Sequence, residues 1–308
     1  SLDDLDQNLK KKKSKLFYFY GTPHEVVEDL MEKVNDIEAV YVNMDYSPYS
    51  KKRDQEIEKV CQEFEVDFHS VHDCLLNPVG SILTKSDNTF YQKFTPYFRE
   101  ATKESVPKPK LNAKNNYVKS TTRIPGQFSG STAKFYKKNE DIWVEGGRKE
   151  GLKILSEVKD FKKYNKERND LNKETTNLSA YIKFGCVSIR EVYHKFLKEL
   201  GKNNDLIKQL YWRDFYHNIL YDNPHVVGGA MKKKYNDLEW KNNRTHFKKW
   251  CQGETGYPVM QYSCVAKGSP RSNLTQYPLL FSIAVKLPTQ IPFGNKVAAS
   301  PSEIIPTI

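Results

Sequence analysis

Gln209, Trp212, Arg213 and Tyr216 fall at i, i+3, i+4 and i+7 within NNDLIKQLYWRDFYHNILYD, residues 203–222. Read as one helix, this stretch sets all four on one face. The face offers an amide, an indole, a guanidinium and a phenol. A flat ring beside a fixed cation suits stacking on a planar ligand or base, with phosphate held nearby. The same pattern also fits a half-buried helix with a core Trp and a snorkelling Arg. A second cluster lies upstream, where Thr175, Thr176, Asn177 and Ser179 crowd hydroxyls and an amide at the start of an apolar run. That composition marks a helix N-terminus. Its backbone N–H groups and hydroxyls can hold an anion such as a diphosphate; on this feature alone a plain N-cap is the better explanation. Tyr164 and Arg168 stand at i and i+4 on the basic end of the preceding helix. Trp240 lies in the charged turn YNDLEWKNN, with no packing role evident.

Two other chemistries find less support. His69, His72 and Cys74 lie close together but lack an evident fourth ligand, so no metal site is predicted. There is no Gly-x-Gly-x-x-Gly after the first strand and no Gly-Lys-Ser/Thr loop, which excludes nucleotide phosphate sites of those two kinds.

The chain of 308 residues is long enough for two domains with their own cores. Lys and Arg outnumber Asp and Glu by 49 to 38, a net charge of +11 that favours a polyanionic partner such as nucleic acid. The five cysteines are scattered and never spaced Cys-x-x-Cys, which fits reduced thiols in an intracellular protein, cytoplasmic or nuclear. No stretch is apolar enough to span a membrane. The opening SLDDLDQNLKKKKSK carries charges where a signal peptide needs an apolar region. Beginning at Ser1, the chain is expected to start inside a longer gene product.

These groups need elements to position them. Apolar runs at 16–20, 39–43 and 66–71 read as strands, and the periodic segments 23–33 and 50–64 between them as helices. That alternation predicts a parallel, layered α/β unit. Residues 104–146 are rich in Lys, Pro, Ser, Thr, Asn and Gly and read as a long connection. From Gly147 to Leu171 the pattern predicts one helix. Ser188 with Glu191 reads as a capping box opening another. After Met260 the composition changes, and 261–308 reads as a divergent tail.

Six ordered motifs resemble the DNA photolyase/cryptochrome family: Ser1 to Asp6, DYSPYSKKRD at 45–54, FYQKFTPYF at 90–98, TTNLSAYIKFGCVS at 175–188, QLYWRDFY at 209–216 and KKWCQGETGYP at 248–258. The resemblance implies a partial α/β domain over 1–103, Rossmann-like, antenna-type and lacking its first strand. It implies a linker at 104–146 and the first part of an all-α FAD-binding domain over 147–260. It also implies a light-dependent lyase that splits pyrimidine dimers by electron transfer from reduced FAD. Tyr164 and the segment Thr175, Thr176, Asn177, Leu178 and Ser179 resemble contacts to the FAD phosphates. Gln209, Trp212, Arg213 and Tyr216 resemble the wall between flavin and lesion, Trp212 stacking on the flipped dimer. Arg168 resembles a DNA-backbone contact, and Trp240 the outermost tryptophan of the electron-transfer chain. Damaged DNA is the implied partner.

The departures are specific. Gln209 stands where cyclobutane-specific members carry Glu. Tyr49-Ser50 stands where some members carry a folate-binding pair, so no second chromophore is predicted. The flavin-holding helices expected after Pro258 are absent from 261–308, so an incomplete pocket is expected. A second chain could supply them; otherwise a monomer is expected. The competing expectation is an inactive or cryptochrome-like fragment, a basic module binding flavin or nucleic acid.

Overall fold

The computed structural model describes residues 1–110, 116–130, 135, 142, 144–170, 173–239, 241–257 and 305–306. Helix α1 (Leu2–Lys11) has Asp3 and Asp4 in its first turn and Lys10 and Lys11 in its last. That charge order suits the helix dipole. The apolar run at 16–20 yields only a two-residue strand, β1 (Tyr18–Phe19). Helix α2 (Pro23–Lys33) opens on proline, where the missing N–H costs nothing. Strand β2 (Ala39–Asn43), helix α3 (Pro48–Glu63) and strand β3 (Asp67–Val71) follow. The two strands pair in parallel, Ala39 opposite Asp67 through Asn43 opposite Val71.

The parallel sheet therefore has two strands among the described residues, not the three expected. β1 pairs antiparallel with β4 (Ile305–Pro306) instead. An apolar run reports that a strand is buried; it does not name the strand's neighbour.

The helices that carry the site are α4 (Phe94–Ala101), α5 (Arg148–Ser156), α6 (Tyr164–Glu167), α7 (Leu178–Lys183), α8 (Ile189–Leu200), α9 (Asp205–Asp222) and α10 (Arg244–Cys251). The single helix expected from Gly147 breaks after Ser156, and a tighter 3-10 stretch, Val158–Lys163, intervenes. Val158 in that stretch is fully buried. The capping box also resolves differently. Ser188 does cap α8, accepting from the Arg190 N–H at 3.3 Å. Glu191, however, takes the Arg148 guanidinium in a two-pronged pair at 3.0 Å, which ties α8 to the start of α5.

One apolar core runs through the helices, and it includes Leu76, Ile82, Phe94, Tyr97, Ala101 and Val106 beside Leu155, Val192, Phe196, Leu210 and Phe215. Residues before 103 thus share their core with helices after 147. The described parts of the connection wrap back onto both sides. His194 Nε2 meets the Val106 carbonyl at 3.1 Å, and the Ser14 hydroxyl donates to the Val118 carbonyl at 2.6 Å. No helix among the described residues is long and apolar enough to cross a membrane.

The loop 74–80 after β3 is clamped to α9 by three side chains. Arg213 Nη1 donates to the Cys74 carbonyl. The Asn77 N–H donates to Asp214 Oδ2 at 2.9 Å, and the Gly80 N–H donates to Asn218 Oδ1 at 3.1 Å. Asn218 also donates from Nδ2 to the Asp214 carbonyl at 2.9 Å. Replacing Asn218 by Ala strands the Gly80 N–H, and urea melts should show a loss of about 1–3 kcal/mol. The exposed change Lys198→Ala on α8 should leave the melt unchanged.

Candidate functional site

Helix α9 is the centre of the site. Asn204 caps it, its Oδ1 accepting from the Leu206 N–H at 2.9 Å, and Asp205 sits in the first turn. Its broad inner face buries Leu206, Ile207, Leu210, Tyr211, Asp214, Phe215, Asn218 and Ile219. Gln209, Trp212 and Arg213 are left half-buried, and Tyr216 exposed.

The aromatic part of this face is a stack. Trp212 lies on Phe94 of α4 with ring centroids 3.6 Å apart and planes 7° from parallel. Tyr216 continues it at 5.5 Å and 25°, and Phe98 extends it behind Phe94 at 5.5 Å. Phe215 meets the edge of Trp212 at 5.7 Å. Such pairs are worth about 0.5–1.5 kcal/mol each beyond the area they bury. Trp212 is therefore a held ring, with Tyr216 as its open end.

Arg213 belongs to the clamp. Its guanidinium is bound to the Cys74 carbonyl, so it joins α9 to the loop after β3. Burial lowers its pKa, and the neighbouring Asp214 charge opposes that shift. His69 and His72 are also engaged. His69 stacks on Tyr41 at 4.7 Å, and His72 Nδ1 hydrogen-bonds the Tyr46 hydroxyl at 2.6 Å. Burial pushes the Tyr46 phenol up to about 12.

Tyr164 begins α6, half-buried, and burial raises its pKa against the opposing charge of Arg168. Arg168 is exposed and pairs with Asp205 at 3.4 Å. Asn165 accepts the Asp205 N–H at 2.9 Å, which seats α6 against the N-terminal end of α9. Lys162, Lys163, Asn165 and Lys166 line a cavity of about 400 Å³ beside it.

The 175–179 cluster splits. Thr175 and Ser179 are exposed, while Thr176 and Leu178 are buried. Asn177, at the cap position, is left-handed with φ 52° and makes no side-chain cap bond. Thr176 Oγ1 accepts the Leu178 N–H instead, at 3.4 Å. α7 packs on α5, while α6, which begins at Tyr164, packs on α9. Leu178 shares the apolar core with Leu206, Leu210 and Phe215 of α9. Trp240 lies outside the described residues. Phe94, Asn165, Asp214 and Asn218 did not stand out in sequence. Phe94 and Asp214 sit inside the quoted motifs at 90–98 and 209–216, which was the available signal.

Residues 1–113 match the family model for DNA photolyase, and residues 206–261 match the FAD binding domain of DNA photolyase. The first match takes in α1 to α4 and the clamped loop; the second takes in nearly all of α9. Tyr164, Arg168 and 175–179 lie between them. The chain belongs to the photolyase/cryptochrome family. It is 27% identical over 266 residues to the deoxyribodipyrimidine photo-lyase of Alkalihalophilus pseudofirmus, covering 82% of this chain and 55% of that one. It is 28% identical to cryptochrome-1 of Rattus norvegicus, covering 83% of this chain and 48% of that one. A crystal structure of an archaeal photolyase from Sulfolobus tokodaii with two FAD molecules superposes with a TM-score of 0.70 at 34% identity, covering 84% and 55%. The chain spans about half the length of the curated relatives it matches.

The stack makes an ordering prediction. Phe94→Ala should cost about 3–5 kcal/mol of unfolding free energy, since it empties a core site as well as unstacking Trp212. Tyr216→Ala, at the exposed end, should cost under about 1 kcal/mol in the same urea melts.

Proposed function

We propose that this chain provides the lesion-facing wall of a light-dependent DNA repair flavoprotein of the deoxyribodipyrimidine photo-lyase type. The observation that carries the reading is the Trp212–Tyr216 stack on α9, within the FAD-binding match, backed by Phe94 of α4. Its rings are ordered before any ligand arrives, so a flat partner can add to the stack with little further ordering cost. A pyrimidine dimer flipped out of the duplex is such a partner.

The residues present fit FAD in part. Lys162, Lys163, Asn165 and Lys166 line an open surface hollow with amine and amide groups, the donor chemistry a diphosphate needs. We assign the diphosphate side to Tyr164, Thr175 and Ser179, with Thr176, Asn177 and Leu178 shaping the backbone around it. Gln209 is assigned to the boundary between flavin and lesion. When bound and photoexcited, reduced FAD supplies the electron that splits the dimer. The chain's own part is to seat the dimer at the Tyr216 end of the stack that Trp212 anchors, exclude water and hold the DNA. Trp240 is assigned to electron delivery to the flavin.

Arg168 is assigned to a DNA phosphate. Its present partner Asp205 is a partly exposed ion pair, which costs little to exchange. We place the start of the helical unit near Cys74, because the apolar core includes Leu76 through Val106.

The test is direct. Trp212→Ala should weaken binding to dimer-containing DNA by about 1–3 kcal/mol and leave undamaged DNA unaffected. Equal loss on both would remove the stacking role. Purified protein should carry a flavin absorbance band and remove dimers only in light. Colourless protein that binds DNA with a steep salt dependence would favour a nucleic-acid-binding module without repair.

A further inference from the structure

Helix α10 stands apart from the core. Of its eight residues only Cys251 is buried, and no other described helix or strand packs extensively on it. Asn243 caps it, its Oδ1 accepting the His246 N–H at 3.0 Å. A helix this short is marginal in water without a partner. Its exposed side carries Arg244, Lys248 and Lys249 beside Phe247, which is 45% exposed. The Phe247 ring stacks on Trp250 at 5.9 Å with planes 22° apart, so it is held in place and still open to solvent. Upstream, the 3-10 turn Lys233–Tyr235 repeats the pairing of ring and amine. Tyr235 is 41% exposed, and the Lys234 ammonium lies 4.9 Å from the centre of its ring.

The charge is one-sided. Residues 232–235 and 244–250 hold six lysines and arginines and no carboxylate. Elsewhere Arg148 pairs with Glu191, Arg168 with Asp205 and Arg190 with Asp73. None of the six forms an ion pair among the described residues, although Asp237 and Glu239 lie between the two stretches. Lysines alone make an ordinary solvated surface. Cations without carboxylate partners, interleaved with held and exposed rings, make the pattern that grips a nucleic-acid strand. An anionic membrane would instead need a continuous apolar face. α10 has none, because Cys251 is turned into the protein and Lys248 and Lys249 follow Phe247 directly.

We infer that α10 and the turn Lys233–Tyr235 form a binding surface for single-stranded nucleic acid, built from other residues than the α9 stack. Phe247 and Tyr235 each take the face of a base, and the neighbouring amines and guanidinium take phosphates. Every base has a π-face, so this surface recognises an open strand and not a sequence. A duplex keeps its base faces inside its own stack and can use only the cations. Binding here needs neither flavin nor lesion, so the inference does not rest on the repair reading.

Fluorescence anisotropy of the full chain with a labelled, undamaged oligothymidylate, in the dark, tests it. Phe247→Ala should weaken oligothymidylate binding by about five- to 150-fold and leave binding to an undamaged duplex unchanged. Replacing Lys248 and Lys249 together by Ala should reduce the slope of log affinity against log salt by about 0.7 for each lysine. Trp212→Ala should leave oligothymidylate binding as it was. Unchanged oligothymidylate affinity in Phe247→Ala overturns the inference, and so does equal loss on strand and duplex. A loss in Trp212→Ala that matches the loss in Phe247→Ala places the strand on α9 and overturns it too. Binding to phosphatidylserine vesicles with none to oligothymidylate does the same. Should Phe247→Ala fail to fold, Tyr235→Ala on the exposed turn gives the same strand-against-duplex comparison.

Discussion

The Asn77 amide and the Asp214 carboxylate meet at 2.9 Å across 137 positions of sequence. Loop 74–80 has no helix or strand of its own, yet its backbone groups are buried and need partners. Helix α9 supplies them from Arg213, Asp214 and Asn218. Because the loop leads from β3 towards α4, this clamp fixes where α4 can lie. Further along the chain, Phe94 on α4 reaches Trp212, and α4 packs directly on α9.

Two kinds of contact share the work. The polar clamp sets register, since a hydrogen bond tolerates little displacement. The aromatic stack adds area and rigidity while leaving the Tyr216 end open. At the N-terminal end of α9 the logic reverses. Arg168 and Asp205 form a partly exposed pair, weak enough for the guanidinium to change partners. The proposed DNA contact draws on that contrast, a rigid ring surface on α9 and an exchangeable cation at its N-terminal end.

Several elements were readable because each carries its own local instructions. Pro23 at the first position of α2, the Ser188 cap of α8 and the Asn204 cap of α9 are signals within one or two turns of what they control. The strands 39–43 and 67–71 follow from apolar patterning in the same way. The site was readable as a set of residue types on one face of α9. Where the reading fell short, a distant partner had intervened. Glu191 has the spacing of a capping box, but Arg148 offered it a two-pronged ion pair. Asn177 has the chemistry of an N-cap, but its backbone is left-handed and Thr176 takes the Leu178 N–H instead.

The sequence by itself determined most of the helices, the parallel strand pair, the family and the chemistry available on α9. Those properties repeat at short range or sit within single motifs. Only the tertiary structure decided that Trp212 rests on Phe94, that Arg213 serves the loop after β3, and that Asp214 is buried beyond water. Contacts between residues more than a hundred positions apart leave no period in the chain. Their energies depend on which groups water has already left, and the folded core settles that.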